Sequence, residues 1–253
     1  MFYLIGTGIG DEKDISLKGL EAAKKCKEVY AELYTSRTGA TKERLEKVIG
    51  KKVAVLGRKE VEEESGYIEK AKKKDVCLLV GGDPLTATTH VEILMRCREL
   101  GVEYKVVHAS SILTAVSETG LQLYKFGRTT TLAYPEKNYF PTSPYGAIAE
   151  NLKCGLHTLI LLDIKPDRNM TAPEGIRLLE EIEAKEKKGL ITPKTKLVVF
   201  ARAGEDSEFW YGTVEELKKM DFGKPQHVII YPAKLHFAEE EFLEKMGALS
   251  DRG

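Results

Sequence analysis

Short apolar runs and longer amphipathic stretches alternate along the first half of the chain. Uninterrupted apolar runs such as Val76–Val80 are typical of strands that are buried on both faces of a parallel sheet. Between these runs, apolar residues recur at helical spacing and stop at Gly50 and Gly101, which predicts helices that end there. The alternation therefore predicts a parallel, doubly wound α/β sheet. The predicted strands are residues 2–5, 28–34, 53–56, 76–80 and 102–107, and the helices between them begin near Ser16, Thr41, Val61 and Thr89.

The second half of the chain has a less regular pattern, and Pro135, Pro141 and Pro144 interrupt it. We interpret it as a second α/β domain with a mixed sheet, so that the predicted domains are residues 1–110 and 111–253. The predicted strands are residues 129–134, 157–164, 196–201, 208–214 and 227–231, and the predicted helices are one that reaches Gly155 and two at 173–188 and 238–246.

Three predicted strands of the first domain run into loops of small residues, at 6–10, 81–89 and 109–111. Right-handed crossovers bring the carboxyl ends of parallel strands to one edge of a sheet, where α/β proteins bind their ligands. The loop after residue 80 reads Gly-Gly-Asp-Pro, which allows close backbone approach and supplies the Asp83 carboxylate. Taken alone, this motif is equally compatible with an ordinary strand–helix turn. The convergence of three such loops favours a small-molecule site.

Composition excludes several classes of function. The 253 residues contain 39 Lys plus Arg and 39 Asp plus Glu, so no global basic field would attract nucleic acid or an anionic membrane. No apolar run approaches the roughly 20 residues of a membrane span, and no signal peptide is visible, so we expect a cytoplasmic protein. The cysteines form no C-x-x-C pair, which favours free, buried thiols; they are Cys26, Cys77, Cys97 and Cys154.

Several familiar motifs are incomplete or missing. The opening loop Gly-Thr-Gly-Ile-Gly has Asp11 where the dinucleotide fingerprint needs its third glycine, and the chain has no P-loop. No two histidines have metal-ligand spacing, so we expect no bound metal. Asp163 follows a predicted strand and is either a site carboxylate or a turn cap. Arg202 is either an anion clamp or a surface cation, and His227 is either a site residue or a histidine bonded to backbone.

A set of longer motifs carries a family resemblance over essentially the whole chain. Together they resemble the diphthine synthase branch of the tetrapyrrole-methylase superfamily. The motifs are F-Y-L-I-G-T-G-I-G, V-G-G-D-P-L-T-A-T-T-H, H-A-S-S-I-L-T-A-V, Y-K-F-G, Y-F-P-T-S-P-Y, L-L-D-I-K, A-R-A-G and P-A-K-L-H, in this order. The G-D-P turn and the opening loop are shared across the superfamily, whereas G-D-P-L-x-A-T-T-H, Y-K-F-G and L-D-I-K are more specific to that branch.

The resemblance implies a homodimeric, two-domain methyltransferase that binds S-adenosylmethionine in a cleft between its domains. It implies methylation of the amino group of a 3-amino-3-carboxypropyl-histidine on translation elongation factor 2, which gives diphthine for diphthamide biosynthesis and releases S-adenosylhomocysteine. The implied cofactor-binding positions are Ile9, Asp83, Thr86, Ser111, Ile112, Leu162, Ala203 and His227. Family enzymes often have leucine at the first position and valine at the third.

The sequence leaves the base that deprotonates the amine open among Tyr124, Asp163 and bulk water. It also leaves two competing functions to be tested. One is the same chemistry on a tetrapyrrole carbon or an RNA ribose, which the balanced charge and the branch-specific motifs disfavour. The other is a nucleoside-binding module without catalysis.

Overall fold

The computed structural model describes residues 1–36, 38–137, 139–165 and 167–247. The chain divides into two compact units, Met1–Ala115 and Val116–Gly253. The strands of the described residues form two five-stranded sheets, one in each unit. The first unit therefore contains all three small-residue loops that the sequence places after strands, together with the residues up to Ala115 that follow the third loop.

The first unit is a parallel α/β sheet. Its strands lie in the order β3-β2-β4-β1-β5 and every neighbouring pair is parallel, which confirms the predicted fold class. The elements are β1 (Phe2–Gly6), α1 (Leu17–Lys25), β2 (Glu28–Glu32), α2 (Lys42–Ile49), β3 (Val53–Val55), α3 (Arg58–Glu62), α4 (Gly66–Glu69), β4 (Val76–Val80), α5 (Val91–Glu99), β5 (Tyr104–Val107) and α6 (Ile112–Ala115).

Helices cover both faces of this sheet because its central strands are apolar on both. In β4, Cys77 and Leu79 point into a core that α1 and α2 complete, with Leu45 of α2 fully buried there. Val76, Leu78 and Val80 point to the opposite core, which α3, α4 and α5 complete. The sheet is therefore doubly wound, and sheets of this kind bind ligands at the carboxyl ends of their strands.

One predicted helix of the first unit is wrong. Residues 61–74 do not form a single helix, because α3 ends at Glu62, α4 covers only Gly66–Glu69, and a short 3-10 turn follows over Lys70–Lys72. The sequence Ser65–Gly66 interrupts the helical pattern, since glycine and serine both favour other backbone conformations. Val61, Ile68 and the apolar residues near them still reach the same core from the separate pieces.

The second unit has the predicted mixed sheet, in the order β6-β7-β10-β8-β9. Only β6 and β7 are parallel; β10 pairs antiparallel with both β7 and β8, and β9 pairs antiparallel with β8. The elements are β6 (Thr130–Leu132), α7 (Ser143–Lys153), β7 (Thr158–Leu162), α8 (Ala172–Glu186), β8 (Lys196–Ala201), β9 (Glu208–Thr213), α9 (Val214–Leu217), β10 (His227–Tyr231) and α10 (Phe237–Met246). Helices α7, α8 and α9 pack on one face of this sheet around a core that includes Ile160, Val199 and Ile229.

The Y-K-F-G and P-A-K-L-H motifs meet in a buried ionic network of the second unit. Lys125 forms an ion pair with Glu239, whose side chain is only 1% exposed. The other Glu239 oxygen lies 3.1 Å from His157 Nε2 and accepts the Gln122 N–H at 2.9 Å. His157 Nδ1 accepts the Ala233 N–H at 2.9 Å, so the network joins the segment before β6 to the segment before α10.

Hydrogen bonds decide the ionisation of this network. Burial alone would raise the pKa of Glu239, but bonds from His236 N–H, Lys125 and Gln122 N–H outweigh it and lower the pKa to about 2. Burial also lowers the pKa of His157 despite the neighbouring Glu239 carboxylate, so its imidazole is neutral at pH 7. The Y-K-F-G and P-A-K-L-H motifs therefore have a structural explanation that requires no ligand.

Three of the four cysteines, Cys26, Cys77 and Cys97, are buried and free, while Cys154 is exposed. Within the described ranges, none of the helices combines the length and the apolar character that crossing a bilayer requires.

The buried network generates a stability prediction. Glu239→Ala should lower the free energy of unfolding by about 3 kcal/mol, because it leaves the Lys125 ammonium and the His157 ring without their partner. The measurement is urea denaturation at neutral pH. The stabilisation that the Glu239 carboxylate provides should be fully present at any pH above the pKa of a glutamate in the unfolded chain, about 4.3. It should be lost as the pH falls toward the folded value of about 2.

Glu241→Ala on the same helix is the matched control. Glu241 pairs with Lys245 at 2.5 Å, but the two side chains are 59% and 70% exposed, so this variant should lower the free energy of unfolding far less than Glu239→Ala does. Equal losses from the two variants would contradict the importance of the buried network.

Candidate active site

The loops after β1, β4 and β5 meet at the carboxyl edge of the first sheet. Gly8 and Gly82 form an antiparallel bridge, in which Gly82 N donates to Gly8 O at 2.7 Å. A β-carbon on Gly6 would lie 2.5 Å from Gly82 O and 2.8 Å from the β-carbon of Ala109, so the contact requires glycine at position 6. The predicted convergence of the three loops is therefore observed within the first unit.

Positive backbone dihedrals shape this bridge. Gly8 has φ 81° and Gly82 has φ 72°, values that side-chain-bearing residues rarely adopt. Among the residues that the structure describes, a β-carbon on Gly82 would have only Ile9 within 4 Å, at 3.9 Å, so there is room beside this part of the loop. The edge thus combines a fixed backbone with room next to it.

Both carboxylate oxygens of Asp83 are hydrogen-bonded at this edge. Its Oδ1 accepts the Leu85 N–H at 3.0 Å and the Thr86 hydroxyl at 3.1 Å. Its Oδ2 accepts the Ala109 N–H at 3.2 Å and lies 2.7 Å from His108 Nδ1. Burial works to raise the pKa of Asp83, but these bonds outweigh burial and hold the pKa below its ordinary value. Asp83 is therefore a carboxylate that ties the loop after β4 to the loop after β5.

His108 is the residue at this edge that sequence reasoning missed. Its ring is 69% exposed although its Nδ1 is bonded to the buried Asp83 carboxylate. The sequence shows only that both residues follow strands, and they are separated by 25 positions along the chain. The sequence could have indicated this contact in one way, because both residues follow strands whose loops are predicted to converge.

The remaining predicted positions of the first unit lie in the same loops. Ile9 is in the bend after Gly8, and Thr86 lies three residues beyond Asp83. Ser111, which is 7% exposed, precedes α6, and its Oγ accepts the Leu113 N–H at 3.1 Å. Ile112 is the first residue of α6. The structure thus brings all five predicted first-unit positions to the carboxyl edge of one sheet.

The three predicted positions of the second unit also share a sheet edge. Leu162 ends β7, and His227 begins β10 beside it, one step beyond the Val228–Leu161 pair. His227 also pairs with Ala201, the last residue of β8, and Ala203 lies in the turn that follows. The mixed sheet therefore places the end of β8, the end of β7 and the start of β10 together.

The His227 ring is fixed in one protonation state. Nδ1 accepts the Ala172 N–H at 3.1 Å, and Nε2 lies 3.1 Å from Lys224 O, to which it donates. Burial is the main cause that lowers its pKa, so the ring is neutral with its proton on Nε2. This agrees with the interpretation of His227 as a strand-end histidine bonded to backbone, and its ring nitrogens are both occupied.

Asp163 and Arg202 have structural partners. Asp163 accepts the Tyr134 N–H at 2.9 Å and lies 3.5 Å from Lys165, so it holds the connection after β6. Arg202 donates to Phe222 O at 2.6 Å and pairs with Glu208 at 3.1 Å. Its guanidinium is thus bonded to a carbonyl and a carboxylate of its own unit. No group of three or more potential metal ligands occurs among the described residues.

Comparison with known proteins identifies the family. Residues 1–218 match the family model of the tetrapyrrole (corrin/porphyrin) methylases. The chain is 51% identical over 252 residues to the diphthine synthase of Methanocaldococcus jannaschii and 48% identical over 249 residues to that of Methanococcus vannielii. Both alignments cover 96% of this chain and 98% of the relative. A crystal structure of diphthine synthase superposes with a TM-score of 0.89 at 39% identity, covering 99% of this chain and 97% of that one.

The chain therefore belongs to the tetrapyrrole methylase family, and within it to the diphthine synthases. The resemblance drawn from the motifs is confirmed, as is the predicted two-domain α/β fold.

The loop geometry at the carboxyl edge of the first sheet leads to a prediction about the G-D-P loop. Gly82→Val should abolish binding of S-adenosylmethionine, because a β-branched side chain resists φ 72° and fills the open space beside Ile9. The measurement is isothermal titration calorimetry on the folded variant, checked by circular dichroism.

Gly101→Val is the matched control for strain. Gly101 also has a positive φ, 66°, with open space around it, but it precedes β5 at the opposite end of that strand. This variant should be destabilised by its backbone and still bind the donor. Normal donor binding by the Gly82 variant would show that the site lies elsewhere.

Proposed function

We propose that this chain is an S-adenosylmethionine-dependent methyltransferase that acts on translation elongation factor 2. Its product would be diphthine, formed by methylation of the amino group of 3-amino-3-carboxypropyl-histidine during diphthamide biosynthesis. The observation that carries the proposal is the alignment with diphthine synthases at about half identity over nearly the whole of both chains.

The first-unit edge suits the methyl donor chemically. S-adenosylmethionine, when bound, supplies a methyl group on a positively charged sulfonium. The open space beside Gly82, with Ile9 as an apolar wall, would accept apolar and planar parts of such a molecule. The ionised Asp83 carboxylate at the same edge favours a cationic ligand over an anionic one. These properties fit the donor.

The predicted positions of the second unit offer apolar and uncharged groups to the donor. Leu162 offers an apolar side chain that is 8% exposed, and Ala203 follows the positive-φ residue Arg202 in a tight turn where a small side chain leaves backbone groups accessible. His227 is neutral and held by backbone, so it shapes the strand end without adding charge. We propose, from the family resemblance, that these three residues bind the donor, as we propose for Ile9, Asp83, Thr86, Ser111 and Ile112.

Positioning is the main task of such a site. Methyl transfer from a sulfonium is an in-line displacement, and holding two reactants in the right geometry supplies a large part of the acceleration. Side chains fixed by several hydrogen bonds, as Asp83 is, keep that geometry without reorganisation. A tetrapyrrole carbon or an RNA ribose would present a different acceptor to the same donor site.

We also propose a homodimer in the cytoplasm. The substrate proposed here is a translation factor, so the enzyme must reach it where translation occurs. Exposed apolar side chains are compatible with a subunit contact: Val91 and Met95, one turn apart on α5, are 56% and 58% exposed. Sedimentation of the purified chain tests the dimer directly.

The acceptor is tested by transfer of labelled methyl groups. Isotopically labelled S-adenosylmethionine is offered with two preparations of elongation factor 2, one with the 3-amino-3-carboxypropyl-histidine and one with plain histidine. We expect label only in the first, with mass increases in methyl steps on that residue, because plain imidazole lacks the flexible amine. S-adenosylmethionine and S-adenosylhomocysteine should both raise the melting temperature, since ligands of the native state stabilise it by mass action.

Other outcomes separate the alternatives. Label on a tetrapyrrole or on RNA, with none on the modified factor, would contradict the proposed acceptor. Donor binding without transfer to any acceptor would favour a nucleoside-binding module.

A further inference from the structure

The acceptor amine has to lose a proton before it can attack. An aliphatic amine with a pKa near that of lysine, about 10, is almost wholly protonated at neutral pH and has no lone pair for a methyl group. A positioned base that accepts this proton typically contributes 10²–10⁴-fold to the rate. The proposed function therefore requires a base, or else the slow route through the small population of free amine.

The five histidines of the chain differ in what their rings can do. His157 and His227 have both ring nitrogens in hydrogen bonds within the second unit. His90 is only 2% exposed. His236 caps α10, with Nδ1 accepting the Ala238 N–H. His108 alone combines an exposed ring with a carboxylate partner and a position among the loops of the candidate site.

Asp83 sets the protonation pattern of the His108 ring. An ionised carboxylate 2.7 Å from Nδ1 accepts a hydrogen bond, so the neutral ring carries its proton on Nδ1 and presents a lone pair at Nε2. Asp83 is 8% exposed and is itself held by Leu85 N–H, Thr86 and Ala109 N–H, so it also fixes the orientation of the ring. A base oriented by a third group in this way is a recurring arrangement in enzymes.

The acidic side chain that is bonded into the loop after β1 has a different task. Asp14, after β1, accepts the Gly10 N–H at 2.7 Å and so shapes its own loop. In the second unit, Asp163 is bonded to Tyr134 N–H and close to Lys165. Tyr124 is 79% exposed, and a neutral phenol is a poor proton acceptor.

We propose that His108 is the general base of methyl transfer and that Asp83 positions it. This inference rests on the proposed function. In each round, His108 Nε2 takes one proton from the acceptor ammonium and becomes an imidazolium that the Asp83 carboxylate stabilises. The freed nitrogen lone pair forms the new N–CH₃ bond while the S–CH₃ bond breaks and its electron pair stays on sulfur as the thioether. The exposed ring then returns the proton to solvent.

Two variants at position 108 test the proposal. His108→Asn keeps an N–H donor where Nδ1 stands, so it preserves the bond to Asp83 and removes Nε2. His108→Ala removes the whole ring and leaves space for added imidazole. The readouts are donor affinity by calorimetry and the single-turnover rate of methyl transfer to modified elongation factor 2, measured from neutral to alkaline pH. Tyr124→Phe and Asp163→Asn are measured in parallel.

The expected result has three parts. Both His108 variants bind S-adenosylmethionine like the wild type, and at neutral pH their rates fall about 100-fold or more. Their deficit shrinks with rising pH, because the free-amine fraction grows about tenfold per pH unit below its pKa of about 10. Added imidazole restores part of the rate of His108→Ala and none of the rate of His108→Asn.

Three results would overturn the proposal: an unchanged rate, a rate loss explained by lost donor affinity, or an equal loss at every pH without imidazole rescue. A large loss confined to Tyr124→Phe or Asp163→Asn would assign the base to that residue instead. If the wild type itself transfers no methyl group to the modified factor, the proposed function fails, which is a result separate from any effect of position 108.

Discussion

Close approach of three backbone loops at one sheet edge is the constraint on which the candidate site depends. Gly6 leaves no room for a β-carbon between Gly82 O and Ala109, and the Gly8–Gly82 bridge holds the first two loops together. Asp83 then joins the second loop to the third through Ala109 N–H and His108. Because these contacts hold the loop backbone in place, they also fix the positions from which the side chains of the loops project.

In the second unit, a mixed sheet brings the predicted positions together. The antiparallel pairing of β10 with β7 and β8 sets Leu162, His227 and the turn after Ala201 side by side. Burial keeps the His227 ring neutral, whereas hydrogen bonds keep the Asp83 carboxyl ionised. Asp83 is thus a charged side chain held by several hydrogen bonds, whereas His227 is a neutral side chain at a strand end.

Local patterns predicted much of this architecture. The strands Lys196–Ala201 and His227–Tyr231 match the predicted bounds, because both are largely apolar runs that end sharply, the first at Arg202 and the second at Pro232. The helix predicted at 61–74 was wrong because Ser65 and Gly66 break a pattern that is otherwise helical. The Asp83–His108 bond and the His157–Glu239 bond span 25 and 82 positions. Such contacts follow from strand order and register, which composition and periodicity do not specify.

Amide hydrogen exchange, measured with and without saturating S-adenosylhomocysteine, shows whether the strand ends described above bind the donor. If they do, we expect slower exchange in the presence of the ligand in the loops at 6–10, 81–89 and 108–112, and around Leu162, Ala203 and His227. Residues 100–104, at the opposite end of β5, should exchange at the same rate in both samples. Protection confined to that opposite end, or to other parts of the chain, would contradict donor binding at these strand ends.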